Sequence, residues 1–171
     1  MPHIPVTYVG PLSQFSILNS ATHNAFPIKY KYCFLLSGPE PQRTMLQHLI
    51  ESDAGKLQDQ VILIEGRPSD LPNHYKVQGS LTKLRYASGQ DLLDIIKQSE
   101  FIVCRSGYST LMELLPMHKK MILIPTPGQT EQIYLAATLS NQKMAITMDQ
   151  SNFDLFKMAD KARQHCFIFA S

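Results

Sequence analysis

Charge is scarce in this 171-residue chain: Asp, Glu, Lys and Arg make up 18% of it, and 16 basic against 14 acidic side chains leave a formal net charge of +2. So small a net charge, with no basic block to concentrate it, excludes nucleic acid or an anionic bilayer as the main partner. Long apolar runs are missing too. No stretch approaches the ~20 residues a membrane helix requires, and no cationic region followed by an apolar one opens the chain, so the sequence reads as neither membrane-spanning nor exported. Cysteines number three. Cys33, Cys104 and Cys166 are far apart and each sits in an apolar run, the pattern of buried reduced thiols rather than a disulfide framework, which points to the cytoplasm. Asp, His and Cys form no cluster at metal-ligand spacing, so no metal is expected, and the six histidines are scattered singly as surface or core residues. GxxxxGK[ST] and GxGxxG are both lacking, which removes the P-loop and the dinucleotide fingerprint. Internal repeats and low-complexity tracts are absent as well.

What is present is a packed-core composition, 44% hydrophobic, on a chain long enough to bury roughly 70% of the surface its unfolded form exposes. The hydrophobic period alternates between strand-like and helix-like. Strands are expected at Tyr30 to Leu36, Val61 to Ile64, Phe101 to Cys104, Met121 to Ile124 and Met144 to Thr147, with weaker ones at Tyr75 to Val77 and Leu84 to Tyr86. Helices are expected from Glu40 to Ser52, after a cap at Ser88 or Asp91, from Tyr108 to Met117, from Glu131 to Ser140 and from about Asn152 to Gln164. Such alternation implies right-handed crossovers and an α/β fold: a doubly wound, mostly parallel, Rossmann-like sheet covered on both faces. In such a sheet the loops after the strands' carboxyl ends open into one crevice.

Three of those loops carry chemistry. Ser37-Gly38-Pro39-Glu40-Pro41-Gln42-Arg43 enters a helix whose first N–H groups attract phosphate, with Arg43 able to add a fork; equally, it is a capped turn in which the prolines remove two donors. Arg105-Ser106-Gly107-Tyr108-Ser109-Thr110 brings a glycine and three hydroxyls to a helix start, where they can grip a diphosphate. Glu113, a turn further on, can accept from the vicinal hydroxyls of a ribose. The alternative there is a Ser/Thr cap with Glu113 stabilised by the helix dipole. The third loop, Pro125-Thr126-Pro127-Gly128-Gln129-Thr130, ends in Glu131 and Gln132, an acceptor beside a mixed donor–acceptor, suited to a hexose's hydroxyls; a Thr130 cap is the plainer reading.

CRSGYSTLMELL followed by ILIPTPGQTEQIYLAA resembles the carboxyl-terminal, donor-binding domain of two-domain (GT-B) glycosyltransferases of the family 28 type, in the branch of the lipid II-forming N-acetylglucosaminyltransferases. The resemblance covers nearly the whole chain, and its specific part is the Arg-Ser-Gly-x-x-Thr-x-x-Glu spacing with the proline loop ending in acid-Gln. It implies a UDP-sugar donor and hexosyl transfer without a metal. By that resemblance Glu113 holds the ribose, and Ser106, Gly107, Ser109 and Thr110 meet the diphosphate beside Arg105. Glu131 and Gln132, with Thr126 before them, contact the sugar. Arg43 falls where the family has an arginine after its first strand, and Ser88-Gly89 where main-chain groups read the uracil. The chain departs from the family at Pro39 and Pro41, in a loop usually rich in glycine, and at Ile133, where the nearest branch has a second glutamine, so the sugar is not inherited from N-acetylglucosamine enzymes.

The resemblance also implies that acceptor and general base come from an amino-terminal half. Residues 1–20, with Val6, Tyr8 and Val9 alternating in MPHIPVTYVGPLSQF, read as a linker from such a half, and residues 21–171 as the nucleotide-sugar-binding domain. On its own the chain is then expected to bind a nucleotide sugar but transfer little, and any peripheral membrane contact would run through the other half. A natural stand-alone donor subunit with a partner chain, half of a sugar-nucleotide epimerase, and a non-catalytic nucleotide- or protein-binding module are the alternatives.

Overall fold

The computed structural model describes residues 13, 15, 26–68 and 75–169. Apart from Ser13 and Phe15, the expected linker segment lies outside the described residues. Seven strands, β1 (Tyr30–Leu35), β2 (Val61–Ile64), β3 (Lys76–Gln78), β4 (Leu81–Leu84), β5 (Ser99–Cys104), β6 (Lys120–Leu123) and β7 (Ala145–Thr147), form one sheet in the order β3-β4-β2-β1-β5-β6-β7. Every pairing is parallel except β3 with β4. Accompanying them among the described residues are the helices α1 (Gln42–Ala54), α2 (Gly89–Lys97), α3 (Tyr108–Leu114), α4 (Thr130–Asn141) and α5 (Leu155–Gln164).

Strand periodicity divides the apolar residues between two cores. Tyr32, Phe34, Leu63 and Val103 point to one face, where Leu46 and Ile50 of α1 and Leu155 and Met158 of α5 cover them. Cys33, Ile62, Ile64 and Ile102 point to the other, under Leu93 and Ile96 of α2, Leu111 and Leu114 of α3, and Ala136 of α4. From β1 the chain winds outward through β2 and β4, then returns to β5 on the other side and continues to β7. The reversal makes β1/β5 the topological switch point, where open α/β sheets bind ligands beyond the strands' carboxyl ends.

Three expectations shift. The strand expected at Leu84 to Tyr86 lies earlier, at Leu81–Leu84, in an antiparallel hairpin with β3. Lys83 masks it in the sequence, a charge in a buried strand answered by Glu51 at 2.6 Å and Glu65 at 3.8 Å. The last helix begins at Leu155, because Asp154 Oδ1 accepts from the N–H groups of Phe156 and Lys157, and Gln150–Asn152 forms a 3-10 turn before it. At α2, Ser88 occupies the cap position without a side-chain cap bond.

A further correction concerns the thiols. Burial pushes Cys33 and Cys104 up to about 12, whereas Cys166, past the end of α5, is exposed. Native protein should therefore release one equivalent from a thiol-reactive disulfide reagent within minutes, and all three only on denaturation. Fast release of more than one would show that the sheet does not shield β1 and β5. No described helix is long and apolar enough to cross a membrane.

Candidate functional site

At the carboxyl edge of β1, β2 and β4 lies a hollow of about 420 Å³, walled by Leu36, Ser37, Gly38, Arg43, Gly66, Tyr86, Ser88 and Gly89. Leu35, Leu92 and Thr110 line it and also a second hollow of about 220 Å³, which adds Phe15, Ser109 and Glu113. The two make one continuous depression across the switch point. Glu113 is half-buried, and its Oε2 accepts from Ser13 Oγ at 2.5 Å and from the Phe15 N–H at 3.2 Å. The opening segment thus fixes the carboxylate while a cavity remains beside it. Gly107 precedes α3 in an extended conformation with no side-chain cap bond. A Ser/Thr cap therefore does not explain the hydroxyls that follow.

A third hollow, about 450 Å³, opens past β6 and β7 and is lined by Pro125, Thr126, Pro127, Gly128, Ile133, Thr147, Met148, Asp149 and Ser151. The sequence places the 105–113 and 126–132 segments on one groove; the structure divides them between adjoining hollows. They meet where Gly38 faces Thr126: a Cβ on Gly38 would stand 3.6 Å from Thr126 Oγ1.

Several expected ligand contacts are instead internal fastenings. Arg105 is 2% exposed. Its Nη1 donates to the carbonyls of Ile124 at 3.0 Å and Pro125 at 3.3 Å, and its Nη2 to the Gln42 carbonyl at 3.1 Å and Gln150 Oε1 at 2.5 Å. Burial lowers this guanidinium to about 10, so it stays charged at neutral pH. It staples two site loops and lines none of these three hollows. Ser106 is fully buried and donates through Oγ to the Gln132 carbonyl at 2.7 Å, locking the start of α3 to that of α4. Gln132 closes its own loop, accepting from the Thr126 N–H at 2.9 Å and donating to Gln129 Oε1. Arg43 does reach the first hollow, but its Nη1 donates to the Gly66 carbonyl at 2.8 Å and its Nε and Nη2 to Glu40 at 3.0 and 2.7 Å. Those bonds from Arg43, with one from Thr44, hold Glu40 down at about 2.

Of the sequence candidates, Arg43, Ser88, Gly89, Ser109, Thr110 and Glu113 line the joined hollows, and Thr126 lines the third. Gly107 stands at the start of α3, while Glu131 is exposed in the first turn of α4. Gly66, Tyr86, Phe15, Met148 and Asp149 join the walls without having been singled out. The only sequence signals were a glycine just after β2 and an aromatic just before α2. Among the described residues, no three His, Cys, Asp or Glu side chains are grouped so as to hold a metal.

Residues 33–165 match the glycosyltransferase family 28 C-terminal domain. The chain belongs to that family. Within it, a 67-residue stretch is 33% identical to the UDP-N-acetylglucosamine--N-acetylmuramyl-(pentapeptide) pyrophosphoryl-undecaprenol N-acetylglucosamine transferase of Rickettsia rickettsii (strain Sheila Smith), covering 38% of this chain and 18% of the relative. Among solved structures, Acinetobacter baumannii MurG superposes with a TM-score of 0.55 at 17% identity, over 92% of this chain and 50% of that one. The glycosyltransferase VinC in complex with DTDP gives 0.56 at 13%, over 95% and 38%. The glycotransferase of kitacinnamycin gives 0.59 at 13%, over 84% and 37%. This family 28 domain therefore has the GT-B half-fold, and the chain spans half or less of the length of each of these relatives.

Proposed function

We propose that this domain is the nucleotide-sugar-binding half of a hexosyl-transferring glycosyltransferase, with a UDP-sugar as donor and the acceptor and general base supplied by another half or a partner subunit. The observation that carries the reading is the depression at the β1/β5 switch point, which brings Glu113, Ser109 and Thr110 beside the Ser88-Gly89 turn and the Ser37-Gly38 loop. In that arrangement the main chain around Ser88 receives the base, Glu113 the ribose, and the hydroxyls of Ser109 and Thr110 the diphosphate. Negative charge that develops on the departing β-phosphate meets hydroxyl and backbone donors where it forms. Arg105 supports the same edge at a distance, because its buried positive charge is surrounded by neutral oxygens only. The reaction so drawn needs no metal and belongs in the cytoplasm, with any membrane contact made through the acceptor half.

Calorimetry with UDP tests it. Wild-type protein should bind UDP more tightly than uridine, and Glu113→Gln, which keeps an acceptor for Ser13 and Phe15, should weaken UDP roughly 10- to 100-fold, the worth of charge-assisted hydrogen bonds to a ribose. The isolated chain should transfer little sugar. Absence of UDP binding, or an affinity indifferent to Glu113, would leave a non-catalytic module as the better account.

A further inference from the structure

Ser109, Thr110 and Glu113 follow one another at helical spacing on α3, so the repeat turns all three to one side, and all three line the smaller of the joined hollows. The helix itself is only seven residues long. A glutamate near its end has a long, rotatable side chain, and its carboxylate keeps one orientation only if something outside the helix holds it.

The fastening comes from 100 residues away in the sequence. Ser13 Oγ donates to Glu113 Oε2 at 2.5 Å, while the Phe15 N–H reaches the same oxygen at 3.2 Å and Ser13 Oγ at 3.1 Å. These bonds form a closed set: by accepting from the Phe15 N–H, the Ser13 oxygen is turned so that its own hydrogen points to the carboxylate. Both residues are anchored in the interior. Ser13 is 8% exposed and Phe15 3%, and Phe15 belongs to the same apolar cluster as Leu93, Ile96, Leu111 and Leu114, on the sheet face that α2 and α3 cover. A hydroxyl buried there would be costly without an acceptor, so Ser13 and Glu113 hold each other. Yet the contact does not seal the carboxylate away. Glu113 still lines the hollow, and Phe15 forms part of its wall.

We propose that Ser13, locked in place by the buried Phe15, is a positioning residue for nucleotide recognition, holding the Glu113 carboxylate in the orientation that receives the ribose hydroxyls. This rests on the donor reading above and adds to it a residue that lies outside the family match at residues 33–165. A carboxylate fixed beforehand gives up little freedom when a ribose arrives, whereas a loose one must be ordered at that moment and binds correspondingly more weakly. Ser13 touches no ligand atom in this arrangement. It acts through Glu113.

Titration with UDP and with 2′,3′-dideoxy-UDP tests the assignment, because the second nucleotide lacks the hydroxyls that Glu113 would receive. Ser13→Ala should weaken UDP about fivefold and leave dideoxy-UDP unchanged. In a Glu113→Ala background the same change should do nothing to UDP, since its route of action is gone. If Ser13→Ala leaves UDP affinity as it was, or tightens it because the hydroxyl competes with the ribose, the assignment is overturned while the donor reading stands. Equal losses for both nucleotides would make Ser13 a piece of the wall and nothing more, and a further loss on top of Glu113→Ala would put its effect elsewhere; either result overturns the assignment as well. If the wild-type protein does not bind UDP, the donor reading and this inference fall together.

Discussion

Arg105→Met should lower the melting temperature by about 10 °C, one of the two largest losses any single substitution discussed here produces. The reason is the accounting of buried acceptors. One guanidinium serves the carbonyls of Gln42, Ile124 and Pro125 and the amide oxygen of Gln150, which belong to three separate segments of the chain. Methionine fills a similar volume but donates nothing, so the Ile124 and Pro125 carbonyls and Gln150 Oε1 lose their donor at a site that admits almost no water, while the Gln42 carbonyl keeps the Gln150 Nε2 donor at 3.3 Å. Each buried group left unsatisfied costs about 1–3 kcal/mol, and a total near 3–4 kcal/mol in a domain of this size moves the midpoint by about 10 °C. Arg105→Lys should recover part of the loss, since an ammonium keeps the charge but not the planar fork. Circular dichroism melts of the three proteins check this, and a midpoint for Arg105→Met within about 2 °C of wild type would show that these acceptors find other partners. Because the staple ties the β1–α1 and β6–α4 turns together, UDP affinity should fall along with stability.

Arg105 also shows where sequence reading stops. Its place in the chain, directly after β5 and before a hydroxyl-rich helix start, is that of a ligand-binding residue. Whether such a side chain faces the crevice or turns beneath it depends on acceptors 19 to 63 residues away. Ser106 and Gln132 repeat the lesson: both have the polar character of sugar and phosphate contacts, yet each closes a bond to the other's neighbourhood across 26 residues or within its own loop. Local pattern fared better where burial alone decides. β2 was legible because VILI is buried at every position, and β5 and β6 because FIVC and MIL are buried throughout. The weak points were β4, where ion-paired Lys83 interrupts the apolar signal, and Cys166, which is exposed past the end of α5 although its neighbour Phe167 packs on Phe101 of β5. Glu113 and Thr110 line the depression for a different reason: the alternation of β and α implied a parallel sheet whose loops gather beyond the strands' carboxyl ends, and the strand order seen only in the structure puts the switch point at β1/β5.

Gly66→Ala should be as damaging as the loss of Arg105, and three glycines in this chain separate the causes. Gly66 has φ +65°, and a Cβ there would lie 2.1 Å from the Leu36 carbonyl oxygen and 3.1 Å from its carbon. Neither strand can retreat easily, because the Leu36 N–H donates to the Ile64 carbonyl at 2.9 Å and the N–H groups of Glu65 and Arg67 donate to Leu84 and Arg85 at 2.9 and 3.0 Å. The clash must be relieved by moving Leu36, and with it Ser37 and Gly38, which wall the hollow proposed for the nucleotide; the Gly66 carbonyl that receives Arg43 moves too. Gly79, at φ +60° with nothing within 4 Å of a Cβ, carries the backbone strain without the clash. Gly55, at φ −68° with equally open space, carries neither. Alanine should therefore cost about 1 kcal/mol at Gly79 and nothing at Gly55, where the less flexible unfolded chain gives a slight gain. At Gly66 it should cost about 3 kcal/mol or more. Urea midpoints give the ranking, and UDP titration should show at least a tenfold loss for Gly66→Ala alone. Equal midpoints for Gly66→Ala and Gly79→Ala would mean that the Leu36 carbonyl gives way freely. The β1–α1 loop would then be softer than the contacts around it imply, and the hollow proposed for the nucleotide would not depend on the close passage of β2 beneath it.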